Sequence, residues 1–320
     1  FMITLLDIQS AAARIAGVAW RTPLARFPSE DGIELRLKLE SLQPMGAFKI
    51  RGAYNALANL SAADQAKGVI AHSSGNHAQA VAYAARALGI KAVLVMPSNA
   101  PAIKLARTRG YGAEVAISGP SSAERARLCA EIGAARGLVE IHPYDNLHVM
   151  AGQGTLGLEI AEDAPETDLV LVQVSGGGLI SGVAVAIKAL LPNAQAIGVE
   201  PALAADAQAS LRAGKIISVP AEQTAQTIAD GLRVSQVGAL TWPHIRDFVD
   251  DIVTVSEDEI RAAMRALAFE ARVLAEPSGA VTAAAWLYHR GELPASRHPV
   301  AVISGGNSDP AQLAAILAGG

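Results

Sequence analysis

Cysteine occurs once in the 320 residues, at Cys129. One thiol closes no internal disulfide, and the chain shows no signal-peptide pattern, so a reducing compartment, the cytoplasm, is expected. Cys129 falls in an Ala-rich helical pattern and reads as a small apolar residue rather than a nucleophile. Aromatic residues make up only 4%. A core must therefore be assembled from Ala, Val, Leu and Ile, a mixture suited to buried parallel strands flanked by helices. Excess charge is also scarce, at -4 net, which leaves no electrostatic basis for binding nucleic acid or an anionic membrane. No apolar run approaches the roughly 18 residues of a membrane span. Internal repeats, low-complexity tracts and long linkers are missing as well.

What the chain does have is 51% hydrophobic residues and a regular alternation of strand and helix patterns. Strand-like runs are Ile33–Leu39, Ala92–Met96, Ala113–Ile117, Leu169–Val174, Ala196–Val199, Ile252–Val255 and Val300–Ile303. Helical patterns such as Ala78–Leu88, Ala123–Arg136, Leu179–Leu191, Glu257–Arg272 and Ala280–Tyr288 lie between them. Ser121 followed by Glu124 predicts a capping box. The alternation predicts an α/β architecture with parallel sheets, and the length accommodates one large or two medium domains.

Three Gly- and Ser-rich turns carry the chemistry: Ser73-Ser74-Gly75-Asn76-His77, Ser175-Gly176-Gly177-Gly178 and Ser304-Gly305-Gly306-Asn307. Each follows a short strand pattern, where ligands bind in open α/β sheets. Glycines often do no more than turn the chain. Three in a row between a buried strand and a helix start favour an anion site, since backbone N–H groups can approach a phosphate there. Gly152-Gln153-Gly154-Thr155-Leu156-Gly157 matches G-x-G-x-x-G, which would suggest a nicotinamide-dependent dehydrogenase. The residues before it make a poor strand, so helix packing explains these glycines better. Lys49, in Gly46-Ala47-Phe48-Lys49-Ile50-Arg51-Gly52-Ala53, would alone read as a surface lysine. Beside a phosphate-bearing cofactor it becomes a candidate amine for a Schiff base.

The chain resembles the serine racemase and serine/threonine dehydratase family, the fold type II pyridoxal-phosphate enzymes. The resemblance rests on Gly46–Ala53, Ser73–Ala80, Gly152–Gly157, Ser175–Leu179, Thr227–Gly231, Trp242–Ser256, Glu276–Gly279 and Ser304–Asn307, in the family's order. It implies two lobes, each a mostly parallel twisted sheet flanked by helices. Residues 68–145 would form a small domain and residues 1–67 with 146–320 a large cofactor-binding domain. The family explains Gly152–Gly157 as a helix start. Lys49 would be the Schiff-base lysine and, once freed, the base that removes the Cα proton. Phe48 would pack on the cofactor ring, and Asn76 would bond its phenolic oxygen. Ser175, Gly176, Gly177, Gly178 and Leu179 would cradle the phosphate. Ser73, Ser74, Asn76 and His77 would hold the substrate carboxylate. Ser304 would face the pyridine nitrogen. A hydroxyl cannot hold that nitrogen protonated as a carboxylate would, so β-elimination is favoured over transamination.

The implied activity is an ammonia-lyase converting L-serine or L-threonine to a 2-oxo acid and ammonia. Two alternatives stand beside it. Ser74, where threonine dehydratases often carry Ala, could return a proton from the face opposite Lys49, which is serine racemisation. It could equally cap the next helix. Tyr144 speaks for the dehydratases, since racemases carry Asn there. Arg125 matches an arginine that meets an acidic substrate end, which would make a 3-hydroxyaspartate dehydratase, although a first-turn arginine is often merely solvated. Glu200, the Ala204 carbonyl and Asp206 match the family's ligands for Mg²⁺, or for Mn²⁺ or Ca²⁺. A homodimer is expected. The chain ends soon after the Ser304 turn, so isoleucine control through a C-terminal regulatory domain is not expected.

Overall fold

A computed structural model describes residues 2–28, 32–73 and 75–319. Two sheets organise them. The first holds six strands: β1 (Leu24–Phe27), β2 (Leu35–Leu39), β7 (Leu169–Gln173), β8 (Gln195–Pro201), β9 (Asp251–Val255) and β10 (Pro299–Ile303), in the order β1-β2-β10-β7-β8-β9. Only β1 runs antiparallel to its neighbour. The second sheet is parallel throughout, with β3 (Val69–His72), β4 (Ala92–Pro97), β5 (Glu114–Ser118) and β6 (Val139–Glu140) in the order β5-β4-β3-β6. The parallel α/β expectation is met. The central strands β4, β7 and β10 are buried along their whole length. That explains why they read as unbroken apolar runs rather than alternating ones. Among the described residues no helix is long and apolar enough to cross a membrane.

Local signals account for most helix ends. Ser121 and Glu124 close the expected capping box before Ser122–Arg136, and Gly137 ends that helix at φ 66°. The stretch expected as one helix over Glu257–Arg272 is α-helical over Glu257–Ala266, then widens into a π turn at Leu267–Ala271. Arg272 stops it in the left-handed region at φ 59°. The Gly152–Gly157 motif is no helix start. Its helix is Leu147–Asp163, opened by Asn146, whose side chain accepts from the N–H groups of His148 and Val149.

These glycines let helices touch backbone to backbone. A Cβ on Gly152 would lie 2.6 Å from the Arg51 carbonyl oxygen, and one on Gly182 would lie 2.2 Å from that of Met150. The helix Leu147–Asp163 thereby holds Lys49–Ala58 on one side and Gly178–Leu190 on another.

Beside that crossing lies a buried ion network. Arg51 donates to Glu40 through Nε and Nη2, both at 2.8 Å, and to Glu159 through Nη1 at 2.6 Å. Lys38 Nζ lies 2.6 Å from both Glu159 and the Thr22 carbonyl oxygen. Burial pushes the Glu40 carboxyl up, but Arg51, the Thr22 hydroxyl and Lys38 outweigh it and hold the group below its usual value. Removing one partner would leave a buried charge uncompensated. Arg51→Ala should therefore cost about 3–5 kcal/mol of unfolding free energy in urea titrations. A loss under about 1 kcal/mol would show that the network is dispensable.

Candidate active site

A cleft with about 1020 Å³ of empty space opens beside the turns that follow β3, β7 and β10. Strands β7 and β10 are neighbours, so the Ser175 and Ser304 turns lie side by side. Lys49 is carried to this place by its own backbone. Ala47 bridges to Gly305, the Phe48 N–H donates to the Ser304 carbonyl at 3.0 Å, and the Gly306 N–H donates to the Gly46 carbonyl at 2.9 Å. The helix begins at Lys49 itself. Its Nζ donates to the Pro143 carbonyl at 2.8 Å and lies 5.1 Å from the centre of the Phe48 ring. Burial lowers its pKa to about 8.

The glycine turn lines the same cleft. Gly177 has φ 93°, and the 13-residue helix Gly178–Leu190 starts directly after it. The first N–H groups of a helix have no partner within it, and the helix dipole adds positive charge at the same end. The glycines have a second reason to be there. A Cβ on Gly176 would fall 2.3 Å from the Tyr144 ring, and one on Gly178 would meet the Tyr144 backbone at 2.9 Å. The turn is thus packed directly against Tyr144.

Every described residue expected to bind cofactor or substrate lines this cleft: Phe48, Lys49, Ser73, Asn76, His77, Arg125, Ser175, Gly176, Gly177, Gly178, Leu179 and Ser304. Ser74 lies outside the described residues. Glu200, Ala204 and Asp206 do not line the cleft; they sit together at the end of β8 and the helix start that follows.

The charges of the cleft differ in how well they are matched. His77 is buried, with Nε2 at 2.9 Å from the Ile141 carbonyl. Burial and nearby Lys49 lower its pKa well below the ordinary value. Burial together with His142 and Arg125 takes His72 to about 4. Both shifts favour the neutral ring at pH 7. Arg125 donates to the Ser122 hydroxyl at 3.2 Å, while its Nε is buried without a partner.

Lys104, Asp230 and Glu276 are among the cleft residues that carry no role in the sequence reading. Lys104 donates to Asp230 at 2.5 Å. Burial lowers the Lys104 pKa, but Asp230 and Glu276 outweigh it, so the net shift is upward. Glu276 is 1% exposed and is raised to about 7 by burial, although Lys104 pulls it down. The Pro101–Arg107 pattern makes Lys104 look like any surface lysine. Glu276 stands in a recognised motif, but nothing local says which way it faces.

The family model described as "Pyridoxal-phosphate dependent enzyme" matches residues 15–305. The L-threonine ammonia-lyase of Thermotoga maritima is 45% identical over 312 residues, 96% of this chain and 76% of that protein. The serine racemase of Oryza sativa subsp. japonica is 43% identical over 95% of this chain and 90% of its own. Among solved structures, maize serine racemase superposes with a TM-score of 0.93 at 42% identity, covering 98% of this chain and 97% of its own.

The lowered pKa of Lys49 has a consequence for the protein without any ligand. The folded state holds the Lys49 proton less tightly than the unfolded chain, whose lysine titrates near 10.5. The penalty of burying the ammonium is full below about 8 and fades as pH rises towards 10.5. Lys49→Met should therefore raise the melting temperature at pH 7, and the gain should shrink across that window. A gain independent of pH would mean that Lys49 is not desolvated.

Proposed function

Because the chain belongs to the family of pyridoxal-phosphate-dependent enzymes, we propose that it is an ammonia-lyase that converts L-serine or L-threonine to a 2-oxo acid and ammonia. The residues present fit the cofactor. A desolvated lysine of lowered pKa and a glycine-lined helix start line the same cleft, and that pairing carries the proposal. Lys49 would hold the cofactor covalently through Nζ. Ser175–Leu179 would take its phosphate, Phe48 its ring face, Asn76 its phenolic oxygen and Ser304 its pyridine nitrogen. Bound there, pyridoxal phosphate supplies an electron sink that makes the substrate's Cα–H acidic.

The remaining work falls to the chain's own groups. Lys49 is neutral in a large fraction near pH 8, as a base must be, and the Pro143 carbonyl fixes its Nζ until it is displaced. The backbone N–H groups of the Ser73–His77 turn would hold the substrate carboxylate. The Ser304 hydroxyl would not hold the ring nitrogen protonated, which suits loss of the β-hydroxyl. We assign the small domain to residues 68–145 and the large one to the remainder, with the cleft between them. A homodimer is proposed from the resemblance.

One observation supports a second substrate reading. The unpartnered Nε of Arg125 would gain a charge-assisted bond from a substrate with a second carboxylate, such as 3-hydroxyaspartate. Racemisation stays tied to Ser74. Assays of ammonia, 2-oxo acid and serine enantiomers should show elimination as the main activity. Lys49→Ala should abolish it, while Ser74→Ala should suppress racemisation and leave most L-serine dehydration. Loss of both activities in Ser74→Ala would make that residue a positioning group instead. Borohydride should bleach the visible band and leave its label on Lys49, and a colourless inactive protein would overturn the cofactor assignment.

A Mg²⁺-type ion is proposed at Glu200, Asp206 and the Ala204 carbonyl. Both acids are buried, and the two carboxylate oxygens of Asp206 have no hydrogen-bond partner. Glu200 accepts only the N–H groups of Ala207 and Gln208. Among the described residues no set of three or more His, Cys, Asp or Glu side chains could hold a metal, so a main-chain oxygen is needed to complete the shell. Two adjacent buried carboxylates without a cation repel one another and resist ionisation. Chelation should lower the melting temperature, magnesium should restore it, and Glu200→Ala should respond to neither. Indifference of the wild type to chelator, with no metal found by elemental analysis, would refute the site.

A further inference from the structure

An asparagine amide has nearly the same shape when its oxygen and nitrogen are exchanged, so only its partners decide which end points where. In the cleft that decision is made by a chain of four side chains. Arg107 Nη1 donates to Asn307 Oδ1 at 2.8 Å. Asn307 Nδ2 donates to Asn76 Oδ1 at 2.9 Å and to the Met45 carbonyl at 2.9 Å. Asn76 Nδ2 in turn donates to Glu276 Oε1 at 2.5 Å.

The direction of this chain is forced. A guanidinium can only donate, so the oxygen of Asn307 must face Arg107. A main-chain carbonyl can only accept, so the nitrogen of Asn307 must face Met45. Both constraints agree, and Asn76 is left one orientation: oxygen towards Asn307, nitrogen towards Glu276. Nδ2 carries two hydrogens, and Glu276 takes one of them.

The packing leaves room for this chain and little else. Gly46, at φ 81°, would place a Cβ 2.5 Å from Asn307 Oδ1, and Gly305 would place one 2.2 Å from Glu276 Oε1. Arg107 comes from the helix Ala102–Gly110 of the four-stranded sheet, Asn307 from the turn after β10 of the six-stranded one. The orientation of Asn76 therefore depends on both sheets being in place. The charged groups facing Glu276 are Lys104 and Asp230.

We propose that Arg107, Asn307 and Glu276 are positioning residues that lock the Asn76 amide as a hydrogen-bond donor towards the anionic ring oxygen of the bound cofactor. This rests on the assignment of the cleft to pyridoxal phosphate and of Asn76 to its phenolic oxygen. A locked donor stabilises that oxygen without its proton. An amide free to turn presents its own oxygen instead and favours the protonated form, which absorbs at shorter wavelength.

The test uses the holoenzyme and its absorption spectrum at fixed pH, with borohydride labelling of Lys49 as the control for cofactor attachment. Asn307→Asp keeps the acceptor for Arg107 but loses the donor to Asn76, which removes one of the two constraints on the Asn76 amide and lets it turn. The ratio of short- to long-wavelength bands should rise about tenfold or more, the size expected for losing one hydrogen bond to a charged group. Arg107→Met should shift the ratio the same way by less, and Arg107→Lys, again donor-only, should restore most of it. If Asn307→Asp does not fold, the two Arg107 variants decide the matter. Unchanged spectra in variants that still carry the label on Lys49 would overturn the positioning role. Absence of any borohydride-sensitive band in the wild type would overturn the cofactor assignment instead.

Discussion

The cleft depends on helices that meet backbone to backbone. Lys49–Ala58 and Gly178–Leu190 both pack on Leu147–Asp163, at Gly52 against Gly152 and at Gly154 against Gly182. Lys49 is the first residue of one of these helices, and the glycine turn is the start of another. A side chain at either crossing would push the helices apart by the width of a methyl group or more, and would move the Lys49 amine away from the start of Gly178–Leu190. The G-x-G-x-x-G spacing is thus a packing code: its glycines serve contacts between helices rather than a nucleotide.

A second contrast runs through the interior. Where charge serves the fold, it is fully matched: Arg51, Glu40, Lys38 and Glu159 satisfy one another with Thr22 and Gln43 around them. Elsewhere buried charge is left short of partners. Arg125 Nε, both oxygens of Asp206 and Glu276 Oε2 are buried without hydrogen-bond partners. Buried polar groups are almost always satisfied in folded proteins, so each of these atoms is an exception.

Much of this was legible in the chain. The parallel sheets could be read because buried strands lack alternation, and the turns because Gly and Ser crowd the ends of β3, β7 and β10. The capping box of Ser121 and Glu124 followed from local hydrogen bonding alone. The break near Leu267 was not legible, since Leu267–Ala271 carries no Gly or Pro to announce a π turn. The position of Gly152–Gly157 within its helix was also missed, because Asn146 supplies the cap six residues before the first glycine of the motif. Lys104, Arg107 and Glu276 could not be placed either, because their roles come from partners 126, 200 and 200 residues away. Periodicity and motif spacing record what a residue's neighbours in sequence require, and such distant pairings leave no trace there.

Two lysines of this cleft have been shifted in opposite directions, and that bears on chemoselectivity. An aldehyde entering the cleft meets Lys49, desolvated and partly unprotonated, and Lys104, tied to Asp230 and protonated. Only an unprotonated amine attacks a carbonyl, so the electrophile partitions to Lys49 even though both amines lie within the same walls. The remaining soft nucleophile, the thiol of Cys129, is buried and pushed up to about 12 by desolvation, so it offers almost no thiolate near neutrality. Ionisation state would therefore disfavour competing adducts at Lys104 and Cys129.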